Sequence, residues 1–166
     1  MRFSLQARYA ITGIFDLAYN GHGEAVQVRV IGERQGIPPR YLEQIFQRLR
    51  RAGLLAGKRG PGGGYRLVPA PGQIDLLQIV EAVEGPLDPF AHETDGAAPD
   101  RPDGEGAEPR PESERTAGEY GPDFLWNELT GQLADVLAAV TIEDLCRRAA
   151  HDAVPRAEVA GYEYQI

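Results

Sequence analysis

The stretch that first suggests chemistry is "GKRGPGGGY", Gly57 to Tyr65, in which five glycines and a proline lie beside Lys58 and Arg59. Glycine-rich loops with a nearby cation often bind phosphate, either of a nucleotide or of a nucleic-acid backbone. A nucleotide P-loop has the pattern G-x-x-x-x-G-K-[ST] between a strand and a helix. Here the lysine precedes the glycines and no Ser or Thr follows them, which disfavours a nucleotide site.

The segments on either side of these glycines predict a β-hairpin. "LLAGKRG" and "YRLVP" are typical of strands, and "PGGG" is typical of a turn. A hairpin tip that approaches DNA closely needs residues without side-chain bulk, such as Gly62 and Gly63. Lys58 and Arg59 suit contacts with phosphates or the minor groove. The alternative is a tight hairpin whose glycines serve only positive φ angles.

The segment before the hairpin, "IPPRYLEQIFQRLRRAG", has the clearest helical pattern in the chain. Pro39 suits a first turn, and Gly53 suits the position just after a helix. Apolar residues recur at helical spacing and predict a buried stripe: Leu42, Ile45, Phe46 and Leu49. The opposite face carries Arg40, Gln44, Gln47 and Arg51. Arg and Gln can read guanine and adenine edges in the major groove; the alternative is an ordinary solvated helix face.

The neighbouring segments complete a recognisable supersecondary pattern. "VRVIGERQG" predicts a short helix ended by Gly36, so that it and the next helix form a helix-turn-helix. Ser4 suits the N-cap of a first helix and Asp75 that of a helix over residues 74–84. The predicted fold class is therefore mainly α with a small β-hairpin: a winged helix-turn-helix DNA-binding domain over residues 1–85.

Charge separates the two halves of the chain. Residues 1–70 have a net charge of +7, and residues 71–166 have a net charge of −15. A basic first half is typical of a surface that binds a polyanion. The alternative is that the basic and acidic halves attract each other.

The second half of the chain predicts three further regions. Residues 86–121 combine ten carboxylates with six prolines and predict a disordered acidic loop. Residues 122–150 predict one long helix, and residues 151–166 predict a flexible tail. The long helix carries an apolar stripe that favours dimerisation, with intramolecular packing as the alternative: Leu125, Leu129, Leu133, Val136 and Val140.

Other functional classes find little support in the residues. There is one cysteine, and the three histidines are scattered without nucleophile–base or metal-ligand spacing, so we do not expect an enzyme. The chain has no signal-peptide pattern or apolar run of transmembrane length, so we expect a cytoplasmic protein without membrane contact.

Three stretches together, "MRFSLQARYAITGIFDLAYN", "VIGERQGIPPRYLEQIFQRLRRAGLL" and "KRGPGGGYRL", closely resemble the bacterial Rrf2-type winged helix-turn-helix regulators. Within that family the sequence most resembles the iron–sulfur cluster regulators of the IscR type. The resemblance implies a homodimer that binds a palindromic double-stranded DNA operator and regulates iron–sulfur assembly, iron or redox-stress genes. The alternatives are a winged-helix module that binds protein partners and a regulator without a cluster that senses another ligand.

The resemblance also implies roles for single residues. Tyr41, Glu43 and Gln44 would lie at the major-groove end of the recognition helix, and Arg59 would enter the minor groove. The resemblance would also place Ser4, Gln6 and Tyr9 near backbone phosphates. Pro38 and Arg40 depart from the family's usual residues. A carboxylate such as Glu43 accepts from cytosine and repels most other base edges, so it would act against the wrong sequences.

Iron–sulfur members of the family carry three cysteines in the loop before the long helix. The corresponding residues here, 86–121, contain none, so the usual ligation cannot form. A cluster would require unusual ligation, for which Cys146 and His92 are the candidates. As alternatives, Cys146 would be a small buried hydrophobe and His92 a solvated loop residue.

Overall fold

The computed structural model describes residues 4–87 and 123–157. The chain divides into two units, one of Met1–Pro86 with Ala134–Ile166 and one of Leu87–Leu133. Residues 88–121 of the predicted acidic loop, including the candidate ligand His92, lie outside the described residues. In the described part of the chain, no helix combines the length and apolarity that crossing a membrane requires.

The elements follow the predicted order and confirm a mainly α fold with one small hairpin. In chain order they are α1 (Leu5–Asn20), α2 (Val28–Gln35), α3 (Pro39–Arg51), β1 (Leu55–Lys58), β2 (Gly64–Leu67), a 3₁₀ turn (Pro71–Gln73), α4 (Leu76–Glu84), α5 (Asp123–Ala138) and α6 (Ile142–His151).

Helix α1 is the central element of the first unit, because α2, α3, α4 and α6 all pack against it. Its start confirms the predicted cap, since the Ser4 hydroxyl accepts a hydrogen bond from the Ala7 amide at 3.1 Å. Gly13 faces α3, and a Cβ there would lie 2.6 Å from Cε1 of Phe46. The two helices therefore pack at a distance that requires a glycine.

The turn between α2 and α3 is fixed by backbone conformation and by a buried carboxylate. Gly36 ends α2 with φ of +65°, the left-handed conformation that favours glycine. Asp16 of α1 is fully buried, and it accepts hydrogen bonds from Arg34 at 3.1 Å and Gln35 at 2.8 Å. Asn20 donates a third, at 2.9 Å. This pairing satisfies the buried charge and holds the end of α2 against α1.

Helix α3 and the hairpin follow each other without a long loop. Gly53 has φ of +81°, and the Leu54 amide donates to the Leu49 carbonyl at 3.0 Å, which ends the helix and turns the chain into β1. The strands pair antiparallel, with Leu55 opposite Leu67. Tyr65 of β2 also exchanges two backbone hydrogen bonds of 2.9 Å with Val26, so the hairpin is joined to the segment before α2.

Helix α4 begins as predicted, with Asp75 as its cap accepting from the Gln78 amide at 2.8 Å. The residues around this cap also bind the start of α6. Ile142 donates its amide to the Ile74 carbonyl at 2.9 Å, and Leu76 donates to the Val140 carbonyl at 3.0 Å. The two sequence segments of the first unit are therefore joined at the start of α4.

The prediction of one helix over residues 122–150 is wrong, because the structure has two helices with a break between Ala138 and Ile142. Thr141 forms a capping box with Asp144: its hydroxyl accepts from the Asp144 amide at 3.2 Å, and the Asp144 carboxylate accepts from the Thr141 amide at 3.0 Å. These bonds start a new helix and stop the previous one from continuing.

The first residues after α6 are held in place, which differs from the predicted flexible tail over residues 151–166. The Tyr19 hydroxyl donates to the Val154 carbonyl at 2.9 Å, and the Ala157 amide donates to Oδ1 of Asn20 at 2.9 Å. The Arg156 guanidinium lies 4.7 Å from the centre of the Tyr19 ring. Residues 154–157 therefore pack against the C-terminal end of α1.

Candidate nucleic-acid interface

Helix α3 has one fully buried face and one exposed polar face. The four predicted core residues, Leu42, Ile45, Phe46 and Leu49, are all buried. The four predicted outer residues, Arg40, Gln44, Gln47 and Arg51, are all exposed. The core residues hold the helix against α1, and the outer residues carry the donors and acceptors that could meet the edges of bases.

The hairpin adds cations next to this face. Lys58, the last residue of β1, and Arg59, the first of the connecting loop, are both exposed. Between residues 40 and 66 the chain has seven Lys or Arg and a single carboxylate, Glu43. Among the described residues, no carboxylate forms a salt bridge with Arg40, Lys58 or Arg59. This surface therefore has the positive charge that attracts a polyanion.

The glycines of the hairpin loop have conformational reasons to be glycine. Gly60 and Gly62 have φ of +88° and +69°. Gly63 is buried, its amide donates to the Gly60 carbonyl at 2.8 Å, and a Cβ there would lie 2.5 Å from the Lys58 carbonyl oxygen. The backbone of the loop thus requires these glycines whether or not they approach a ligand, and a DNA contact by Gly62 or Gly63 stays a prediction.

The first turns of α3 carry two side chains that contact other elements. The ring of Tyr41 packs edge-on against Tyr9 of α1, with centroids 5.8 Å apart. Glu43 accepts a hydrogen bond of 2.8 Å from the hydroxyl of Tyr65 in β2. Burial, and then this hydrogen bond, raise the pKa of Tyr65 to about 12, so the phenol remains a donor at neutral pH.

The contact between Glu43 and Tyr65 is the part of this surface that sequence reasoning missed. The residue types of "YRLVP" predict the strand that contains Tyr65, and the family resemblance implies that Glu43 lies at the recognition face. No local pattern pairs a strand residue with a helix residue 22 positions earlier.

Two of the residues predicted to contact phosphate, Ser4 and Gln6, form hydrogen bonds with other side chains of the same chain. The Ser4 hydroxyl, besides capping α1, donates to the Glu84 carboxylate of α4. Gln6 accepts from Arg48 at 2.8 Å, and the same guanidinium nitrogen donates to the Val83 carbonyl at 2.7 Å. These bonds join the start of α1 to the ends of α3 and α4. Contacts of Ser4, Gln6 and Tyr9 with phosphate stay predictions.

The residues present do not fit an iron–sulfur cluster of the usual kind. Cys146 is the one cysteine in the chain; it lies on α6 and is partly buried, and burial raises the pKa of its thiol. Cluster ligation uses several thiolates, and a raised pKa disfavours the thiolate form. Among residues 4–87 and 123–157, no group of three or more His, Cys, Asp or Glu side chains could hold a metal ion.

The predicted dimerisation stripe is divided by the structure. Leu125, Leu129 and Val136 are exposed on α5, as are Phe124 and Trp126. Leu137 is buried in the first unit. Val140 lies beyond the end of α5, and its carbonyl accepts from Leu76, so it does not continue the stripe as predicted.

Comparisons with known proteins place this geometry among bacterial regulators. The model of the Rrf2 family, described as iron-dependent transcriptional regulators, matches residues 3–148. The HTH-type transcriptional regulator IscR of Cronobacter sakazakii is 47% identical over 88 residues, which cover 53% of this chain and 54% of that protein. The chain thus spans about half the length of this curated relative.

Two solved structures share the fold along most of their length. The IscR of T. potens superposes with a TM-score of 0.68 at 26% identity, covering 95% of this chain and 94% of that one. CymR, the global cysteine regulator of B. subtilis, gives a TM-score of 0.61 at 28% identity, covering 89% of this chain and 98% of that one.

Proposed function

Because this chain belongs to the Rrf2 family of transcriptional regulators, we propose that it is a dimeric regulator that reads a palindromic DNA operator with α3 and the β1–β2 hairpin. The observation that carries the proposal is the division of α3: its four Leu, Ile and Phe residues are buried, while its Arg and Gln residues are all exposed. A helix that is anchored on one face and polar on the other can enter a major groove without losing its core contacts.

In this proposal the exposed face of α3 supplies the base contacts. Arg40, Gln44 and Tyr41 lie in its first turns, where recognition helices contact base edges. The carboxylate of Glu43 accepts from a cytosine amino group and repels the acceptor atoms of guanine, which excludes some sequences.

The hairpin acts as the wing. Lys58 and Arg59 are exposed next to a loop whose glycines carry no side-chain bulk, so the backbone can approach the minor groove and the two cations can contact phosphates. Ser4, Gln6 and Tyr9 approach the phosphate backbone from the start of α1 in the same complex. Gly62 is exposed in this loop, and the buried Gly63 supports the turn behind it.

The second copy in the dimer binds through α5. Phe124 and Trp126 are 76% and 49% exposed, and Val136 is 64% exposed, which is unusual for large apolar side chains on one helix. By helical spacing Val136 lies on the same side of α5 as Leu125 and Leu129, with Trp126 at the edge of that side and Phe124 on another, so a partner that covers this side would remove apolar area from water. A dimer with twofold symmetry would then place two α3 helices on successive turns of a palindrome.

For the regulated genes we propose iron–sulfur assembly, iron supply or redox stress, supported by the description of the family and the similarity to IscR. Because the usual cysteine set is absent, the signal in this proposal is something other than a cluster held by three cysteines. An absorption spectrum with iron and sulfide assays on protein purified without oxygen tests this part. Stoichiometric iron and sulfide would mean a cluster held by unusual ligands, with Cys146 as the first residue to substitute, and a protein without iron that still binds its operator would favour another ligand.

The DNA-binding proposal is tested by a salt titration. Binding sites are selected from a randomised duplex library, and the affinity of the best site is measured at several salt concentrations. We expect log K to fall with log salt at about 0.9 per phosphate neutralised, and Arg59→Ala to reduce the slope by about one contact.

Arg147→Ala is the matched control for this titration. It removes an exposed cation from α6, outside the proposed interface, and should leave both affinity and slope unchanged. A flat salt dependence, or equal effects of the two substitutions, would contradict DNA binding by this surface and favour a protein-interaction module.

A further inference from the structure

Tyr65 is held from several sides at once. Its backbone pairs with Gly57 across the hairpin and with Val26 on its other side, where both hydrogen bonds measure 2.9 Å. Its ring packs edge-on against Phe46 of α3, with centroids 5.4 Å apart and planes at 90°. The residue is 8% exposed, so its hydroxyl has little freedom to move.

The fixed hydroxyl points at the recognition helix. The hydroxyl donates to Oε1 of Glu43 at 2.8 Å. This hydrogen bond joins a side chain of the hairpin to a side chain of α3. Glu43 lies between the exposed residues Arg40 and Gln44 in sequence, and it is itself only partly buried. One of its oxygens is therefore bound within the protein, while Oε2 has no partner among the described residues.

We propose that Tyr65 is a positioning residue for sequence discrimination: its hydroxyl fixes the orientation of the Glu43 carboxylate, and through it the choice of base that α3 accepts. The inference rests on the proposed function, because it assumes that α3 faces DNA. It assigns to the wing a role beyond its own contacts, since a strand residue that does not face the ligand determines how a helix residue reads it.

The physical reason is the flexibility of glutamate. An unbound Glu side chain rotates about three bonds and can turn its charge away from a base that it would otherwise repel. With Oε1 bound, Oε2 keeps one direction, in which it accepts from a cytosine amino group and repels guanine O6 and N7. Hydrogen bonds to charged groups are strong enough to maintain this orientation on a solvent-accessible surface.

The experiment compares base preferences of full-length variants. The wild-type protein, Tyr65→Phe, Glu43→Ala and the double variant each select from the same randomised DNA duplex library, and the preference at every position is counted. Tyr19→Phe is the matched control, because it also removes a buried tyrosine hydroxyl with a partner, here the Val154 carbonyl, far along the chain from α3.

We expect Tyr65→Phe to lose preference at the same base positions as Glu43→Ala, by about tenfold at most, and to leave other positions unchanged. The double variant should lose no more than Glu43→Ala alone, because both substitutions remove one coupled function. Tyr19→Phe should keep the wild-type preference throughout.

Three results would overturn the inference. A uniform loss of affinity for all sequences in Tyr65→Phe would assign Tyr65 a purely structural role. Additive losses in the double variant would show that the two residues act separately. If Tyr65→Phe keeps the base preference that Glu43→Ala loses, Tyr65 has no positioning role, while the proposed function of the protein is unaffected.

Two further measurements keep the test decisive. If Tyr65→Phe does not fold, Glu43→Asp is measured in its place, because the shorter side chain keeps the charge but does not reach the Tyr65 hydroxyl. A base preference in Glu43→Asp equal to that of the wild-type protein would overturn the inference. If the wild-type protein selects no sequence, the proposed function fails, and the inference fails with it.

Discussion

Helices α3 and α5 distribute their apolar residues in opposite ways. In α3 the four apolar residues of the stripe are buried and the outer face is polar. In α5, by contrast, Phe124, Trp126, Leu129 and Val136 are exposed, and Leu137 is buried. Water solvates the outer face of α3 well, whereas it solvates the apolar residues of α5 poorly.

This difference indicates what kind of partner each helix would bind. A polar, cationic helix face is stable in the free protein and available to a charged ligand. Leu125, Leu129 and Val136 share one side of α5 by their helical spacing, and an exposed apolar side is stabilised by being covered, which supports α5 as the place where a second copy binds. Substitutions in the two helices should therefore affect different equilibria: folding and DNA binding for α3, self-association for α5.

The largest expected effect is on folding, from Phe46→Ala in α3. Phe46 is fully buried between α1 and the ring of Tyr65, so its truncation should lower the free energy of unfolding by about 3–5 kcal/mol. Urea denaturation measures the change. Gln47→Ala, the next residue on the exposed face, should change it by less than about 0.5 kcal/mol; similar losses in both variants would contradict the division of α3 into two faces.

A smaller effect, and on a different equilibrium, is expected from Leu129→Lys in α5. Leu129 is 46% exposed, so each copy would lose about half of the value for full burial of a leucine, roughly 0.7–1.5 kcal/mol, and dissociation should occur at higher protein concentration. Sedimentation velocity over a concentration series measures this. Gln132→Lys changes an exposed polar residue of the same helix and should leave association nearly intact. A monomer at all concentrations in the wild-type protein would remove the proposed dimer.

The smallest effect concerns the link between α3 and the hairpin at high pH. The pKa of Tyr65 is raised from 10.0 to about 12 in the folded protein, mainly by burial and then by Glu43. Between these pH values the folded state keeps a proton that the unfolded state loses, so the stabilisation present below pH 10 is lost as pH rises towards 12. Urea denaturation of Tyr65→Phe should show a shallower decline over this range than the wild-type protein.

Sequence patterns predicted those helices and turns that depend on residues close to one another in the chain. Helical spacing predicted all four buried residues of α3, and the glycine after each helix predicted the ends at Gly36 and Gly53. The break between α5 and α6 also has a local signal, because Thr141 and Asp144 have the spacing of a capping box. The apolar spacing that runs across it led to the prediction of one long helix.

Contacts between distant segments had no such signal. The burial of Asp16, the bond from Tyr65 to Glu43 and the attachment of residues 154–157 to α1 each depend on packing that brings remote residues together. At the candidate interface, sequence patterns predicted which side chains are exposed on α3 and the hairpin. They did not predict which of those side chains other elements hold in place, and contacts with DNA stay predictions.

The attachment of the last described residues to α1 has a consequence for synthesis of the chain. Tyr19 and Asn20 bond to residues 135 and 137 positions later, so these two bonds at the end of α1 form only after that much more of the chain has been synthesised. At about 5–20 residues per second, this wait is roughly 7–27 s. During translation the hydroxyl of Tyr19 and Oδ1 of Asn20 therefore lack these partners long after α2 and α3 have been synthesised.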